Sequence, residues 1–135
     1  MISLKELLNN KYQFITLPKE HQENLKILLE KINQVRLLYG KPMIVTSGYR
    51  SMEDHLRIYA AKGITDKSKI PMQSKHLIGA ACDIADPKKE LQTWILNNLP
   101  KIEAIGLWME DFNYTPNWVH FQILPPKSNN RFFIP

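Results

Sequence analysis

The chain contains a single cysteine, Cys82, among its 135 residues, so no internal disulfide can staple it. That fits folding in a reducing compartment. No apolar run approaches the length of a membrane-spanning helix. Residues Met1 to Gln13 lack the basic start and apolar stretch of a secretion signal, which points to a chain made in the cytoplasm. Internal repeats and low-complexity segments are also missing, which excludes solenoids and tethers. Charge of one sign is not strongly concentrated. Eighteen Lys and Arg against 13 Asp and Glu leave +5, with pI about 9.3, and no basic run is long. A balance of that size favours anionic surfaces without specifying nucleic acid, and no recognition motif accompanies it. What is present is ordinary globular composition, 44% hydrophobic and 23% charged, which excludes wholesale disorder. The length suits one compact domain over residues 1–135, large enough to bury a core unaided.

The patterning predicts mixed elements. Ser3 and Glu6 form a capping box ahead of a short helix, Leu4 to Asn9. Pro18 opens a second helix whose apolar stripe is Leu25, Leu28, Leu29, Ile32 and Val35. Gly40 ends it and Pro42 prevents resumption. Met43 to Thr46 is a short β-branched strand. Ser51 caps a helix running to about Ala61, and Gly63 stops it. Residues 64–75 form a polar loop. Ala80 to Ala85 is a strand of small residues. Asp86 and Pro87 start a helix that ends before Pro100. Ile102 to Met109 and Trp118 to Leu124 read as two strands joined by turn formers, hence an antiparallel hairpin. The expected class is α+β, with a small central antiparallel sheet flanked by helices.

Chemistry concentrates in two segments. In the first, His76 ends a loop and Asp83 sits inside the strand that follows. The small residues Gly79, Ala80 and Ala81 permit close backbone approach there. An aspartate inside an apolar strand is costly unless paired or metal-bound, so Asp83 is the most informative residue. In the second, strand alternation puts Trp118, His120 and Gln122 on one face, with Val119, Phe121 and Ile123 on the core face. His, Asp and His would leave a fourth zinc position open, the arrangement of a hydrolytic rather than a structural site. Such a zinc lowers the pKa of water to about 7 and polarises a carbonyl.

Three motifs in order carry a resemblance: Ser47 to Ser51 (Ser-Gly-Tyr-Arg-Ser), the string Ser74, His76, Gly79, Ala81, Asp83, and Trp118 with His120. Together they cover about residues 43–124. This order resembles the zinc D-alanyl-D-alanine carboxypeptidases and related phage peptidoglycan endopeptidases, whose fold is shared with the Hedgehog signalling domain. The resemblance implies zinc held by His76, Asp83 and His120. It implies a substrate carboxylate or carbonyl bound by Arg50, whose planar guanidinium suits that task. The other reading of Arg50 is a surface salt bridge to Glu53 or Asp54. Ser74 either bonds substrate or holds its own loop.

One departure stands out. Many relatives carry an acid three positions before the last histidine, and some a histidine two before it. Here those positions are Asn117 and Trp118. Asparagine cannot accept a proton from water, so the general base must come from elsewhere. Glu110 is preferred to Asp111, placed across from Trp118 and near His120 by the expected hairpin. Cys82 reads as a small buried hydrophobe, His21 as exposed, and His55 as a surface or packing residue. Leu91, Trp94 and Ile95 read as core, and Trp108 and Trp118 as core or cleft wall.

The resulting expectation is a monomeric zinc peptidase of the peptidoglycan peptide stem. It would act on the wall after release from the cytoplasm, as a phage or prophage endolysin does. Two rivals remain: a catalytically inactive zinc-binding phage structural or wall-binding module, and a basic nucleic-acid binder.

Overall fold

A computed structural model describes all 135 residues, Met1 to Pro135. The capping box forms as the sequence requires. Ser3 Oγ accepts from the Glu6 amide, and the Glu6 carboxylate accepts from the Ser3 amide, opening α1, Leu4–Leu7. The helix is shorter than expected, because Asn9 and Asn10 turn the chain at positive φ. Helix α2 spans Lys19–Tyr39, with Pro18 at its N-cap and Gly40 closing it in the left-handed conformation. Its stripe Leu25, Leu28, Ile32 and Val35 is fully buried, and Leu29 lies partly covered beside it. Burial of each such side chain stabilises by about 1.5–3 kcal/mol.

Strand β1, Val45–Ser47, precedes α3, Met52–Ala61, which Ser51 caps through the Asp54 amide. Strand β2 is Ala81–Ala85, and α4 is Glu90–Asn97. Asp86 does cap α4, but from a distance: its two carboxylate oxygens accept from the Leu91 and Gln92 amides at 3.0 and 2.8 Å. Next comes α5, Leu99–Ile105, with Pro100 in its first turn. The strand expected over residues 102–109 is therefore helix in its first half, through Ile105. Proline begins a new helix here instead of merely ending the old one. Only Trp108–Glu110 is extended, as β3, after Gly106 closes α5 at φ 89°. Strand β4 is Trp118–Gln122, and a two-residue β5, Phe132–Phe133, completes the sheet.

The sheet order is β1-β2-β4-β3-β5. The first three pairings are antiparallel, but β5 runs parallel to β3. The expected antiparallel sheet is thus mixed, since the tail returns alongside β3 and pairs with its open edge. One face carries Cys82, Ile84, Met109, Val119 and Phe121 into a core shared with α2, Leu7 of α1, Leu91 and Ile95 of α4, and Ile102 of α5. Trp94 packs at its margin, its ring 5.4 Å from that of Tyr39. No helix is long and apolar enough to cross a membrane.

The loop after β1 is clamped to α1. The Tyr49 amide donates to the Leu7 carbonyl at 2.8 Å, and the Gly48 amide to Asn9 Oδ1 at 2.8 Å. A Cβ on Gly48 would sit 2.1 Å from the Leu7 carbonyl oxygen, so only glycine permits this approach.

Candidate metal centre

The polar face of β2 and β4 holds the site. Asp83 and His120 are Cα partners across the two strands, so their side chains emerge side by side. His76 arrives from a 3-10 turn, Lys75–Ile78. Ser74 caps that turn through the His76 amide, and Gly79 closes it at φ 75°. A Cβ on Gly79 would press on the Leu25 side chain and the His21 carbonyl, both at 2.9 Å. Asp83 Oδ1 lies 2.9 Å from His120 Nδ1 and 3.3 Å from His76 Nε2. One donor atom from each of the three residues falls within 4.8 Å of the others.

The hydrogen bonds behind these atoms set their chemistry. His76 Nδ1 lies 2.8 Å from the Gly48 carbonyl oxygen, which can only accept, so Nδ1 carries the proton and Nε2 a lone pair. Gln122 Nε2 donates to the Leu124 carbonyl, so its Oε1 accepts from His120 Nε2 at 2.9 Å. That leaves a lone pair on His120 Nδ1. Two imidazole lone pairs and a carboxylate oxygen therefore converge on one point, which calls for a cation or a proton. The outward bonds to Gly48 and Gln122 are those that orient ligating histidines. Two nitrogens and one oxygen, with room for a further ligand, suit zinc.

The electrostatics agree. Burial alone would raise the Asp83 carboxyl, but the two imidazoles outweigh it and hold the group well below the usual carboxylate range. Burial pushes His76 down, against the pull of Asp83 and with help from His120 and Arg50. Burial also works against protonated His120, yet the bond and charge of Asp83, with Glu110, raise it above its ordinary value.

With this geometry in place, the family model for peptidase M15 matches residues 4–122. The chain belongs to the peptidase M15 family. Members of the M15 family are zinc peptidases, which accords with the donor set. No curated protein and no solved structure matches the chain.

Around this M15 centre lies a cleft of about 1010 Å³. Glu110 enters it with Oε1 3.7 Å from His120 Nδ1. The register pairs Trp108 with Gln122 and Met109 with Phe121, so Glu110 falls beside His120, two positions from the Trp118 expected. Asp111 instead accepts from the Asn113 amide in the turn. Asn117 is exposed, and its carbonyl accepts from the Asp86 amide. Trp118 and Ser74 line the cleft, and the Phe133 ring stands edge-on to His120 at 6.1 Å.

Arg50 also reaches the cleft. Its Nε donates to Ser47 Oγ at 3.0 Å, and Nη2 lies 3.7 Å from Asp83 Oδ2. The surface partners expected for it are otherwise engaged, since Glu53 pairs with Arg57 and Asp54 with Arg57 and Lys11. His55, read from the sequence as a surface or packing residue, is fully buried beneath Arg50. Its Nε2 donates to the Pro71 carbonyl at 2.9 Å, so its Nδ1 lone pair faces Arg50 Nη1 at 3.4 Å. Burial, with the Arg50 and Lys62 charges, lowers its pKa against the Pro71 bond and keeps it neutral. Its only sequence signal is its place on α3, five residues after Arg50. His21 is half-buried rather than exposed, bonded to Tyr49 Oη at 2.9 Å. Cys82 lies in the core, where burial and Asp83 push its thiol far up, away from any ligand role.

Proposed function

We propose that this chain is a zinc-dependent peptidase that cleaves peptide bonds in the stem of bacterial peptidoglycan. It would trim as a DD-carboxypeptidase or cut as an endopeptidase, in the manner of a phage endolysin. His76 Nε2, Asp83 and His120 Nδ1 hold the zinc. Zinc with three protein ligands supplies a Lewis acid and a source of nucleophile at neutral pH. Glu110 Oε1 accepts the proton of the attacking water and passes it to the leaving amine nitrogen. Arg50, held flat by Ser47 and His55, offers its fork to a substrate carboxylate or carbonyl. Ser74 Oγ already accepts from the His76 amide, and its hydroxyl proton is free for a substrate carbonyl.

The single observation carrying this reading is the convergence of three lone-pair donors beside an otherwise uncommitted carboxylate, Glu110, in a cleft. The test is incubation of the zinc-loaded protein with purified peptidoglycan and assay of newly exposed amines. Release of amines that stops on chelation is expected. No release at any pH between about 5 and 9 would favour a zinc-holding module without turnover, the reading that Asn117 supports.

A further inference from the structure

The charge of this chain is unevenly placed. Arg50, Lys62, Lys69, Lys75 and Lys127 line the cleft, against only Asp83 and Glu110. Five of the 18 Lys and Arg thus face two of the 13 Asp and Glu. Three of the five net positive charges therefore belong to the 23 residues around the cleft, and two to the remaining 112. The two acids lie among the site residues. Lys62, Lys69 and Lys127 are exposed and Lys75 half-buried. None of the four donates a side-chain hydrogen bond within the protein or meets a carboxylate within 4.0 Å, a state they share with several other lysines of the chain; Lys11, Lys26 and Lys41 do meet one. Lys62 is steered by a neighbour that is not an acid, its Nζ lying 5.0 Å from the centre of the Tyr59 ring, which also lines the cleft.

A concave wall of one sign concentrates field and draws in the opposite charge. We infer that the cleft selects acidic peptides: Arg50 takes one carboxylate of the substrate, and the lysines at residues 62, 69, 75 and 127 take a second, away from the scissile bond. This rests on the cleft being the substrate site proposed above and adds the substrate's charge pattern to it. A peptide suits the space better than a nucleic acid. The cleft is at the upper end of the roughly 300–1,000 Å³ of small-ligand sites. Asp83 and Glu110 beside the reacting position would also repel a continuous line of phosphates.

Direct binding tests the assignment without turnover. The probes are a pentapeptide with a free carboxy-terminus and one internal glutamate, and the same peptide with glutamine, titrated calorimetrically into the full chain. In about 20 mM salt the glutamate peptide should bind roughly 5- to 10-fold tighter, and the preference should shrink below about 2-fold in 0.5 M salt as screening shortens. The combined variant Lys62→Gln, Lys69→Gln, Lys75→Gln and Lys127→Gln should erase the preference, the glutamate peptide losing more affinity than the glutamine peptide. These side chains carry no internal bonds, so the variant should fold, which its melting temperature checks. Equal binding of the two peptides at low salt overturns the assignment, as does a preference that survives in the variant. Tighter binding of a short single-stranded oligonucleotide, lost in the same variant, also overturns it and gives the lysines to phosphate. A protein that shows the peptide preference but releases no amine from peptidoglycan supports the assignment and sinks only the peptidase reading.

Discussion

The two faces of strands β2 and β4 come from the same ten residues and are built on opposite rules. On one, Cys82, Ile84, Val119 and Phe121 are fully buried and make no side-chain hydrogen bond. On the other, Asp83, His120 and Gln122 are nearly as dry, yet their polar atoms are chained together from the Leu124 carbonyl through Gln122 and His120 to Asp83. Dryness alone does not make a core. The apolar face is sensitive to volume, because a lost methylene leaves a cavity. The polar face is sensitive to partners, because a buried polar atom that loses its bond carries the full desolvation cost.

The sharpest way to break the contrast is to strip the polar face while keeping the apolar one. Asp83→Ala and His120→Ala should each cut the proposed peptidoglycan hydrolysis by roughly 1,000-fold or more, the equivalent of several kcal/mol of lost metal chemistry. Elemental analysis should show less than stoichiometric zinc, with the circular dichroism of the folded chain retained. Full zinc occupancy in either variant would remove that residue from the ligand set. Phe121→Ala is the mirror experiment. It should lose about 3–5 kcal/mol in urea unfolding, while the molecules that remain folded keep their zinc.

Smaller changes refine the polar face. Glu110→Gln should hold zinc normally and lose about 10²- to 10⁴-fold in turnover; wild-type rates would move the proton-transfer role elsewhere. Gln122→Ala removes only the outward partner of His120. It should weaken zinc about 10- to 100-fold in a chelator competition, and unchanged affinity would show that His120 needs no such support.

The smallest effect lies far from both faces. The Asp54 carboxyl is pulled from its usual 3.8 down to about 2, first by the Lys11 hydrogen bond, then by that of Tyr12. A carboxylate depressed in the folded state stabilises above its unfolded pKa and stops doing so as pH falls through the folded value. Because Lys11 is half exposed, the contribution is about 1 kcal/mol after screening. Asp54→Asn should be less stable than the parent above about pH 4, and the two melting curves should converge near pH 2. A constant gap across that range would mean the loss is one of packing rather than charge.

The sequence displayed the chemistry better than the scaffold. His76, Asp83 and His120 are joined as one set by the ordered motifs and the resemblance they carry, the cost of burying an acid among small strand residues singling out Asp83 alone, and the structure brings the three within reach of one another. Strand alternation also sorted β4, where Val119 and Phe121 turn inward. The register that sets Glu110 beside His120 could not be read, because it depends on where β3 begins. Ile102 and Ile105 fit a helix face as well as a strand, and Pro100 signals both an end and a beginning. Gly106 as a helix stop was the overlooked clue. The parallel pairing of β5 and the burial of His55 against the Pro71 carbonyl are purely tertiary. Nothing in two phenylalanines, or in a histidine on an amphipathic helix, records which neighbour arrives from sixteen or more residues away.

The Gly48 peptide has a reach of its own. Its amide is held by Asn9, its carbonyl orients His76, and the next amide is tied to Leu7. Whatever energy an ion gains from a correctly aimed His76 is shared, by linkage, with the docking of the first ten residues. Amides near Leu8 to Asn10 should therefore exchange more slowly in the loaded protein than in the empty one. The amino-terminal segment would thereby help to set the grip on a bound ion without coming near it.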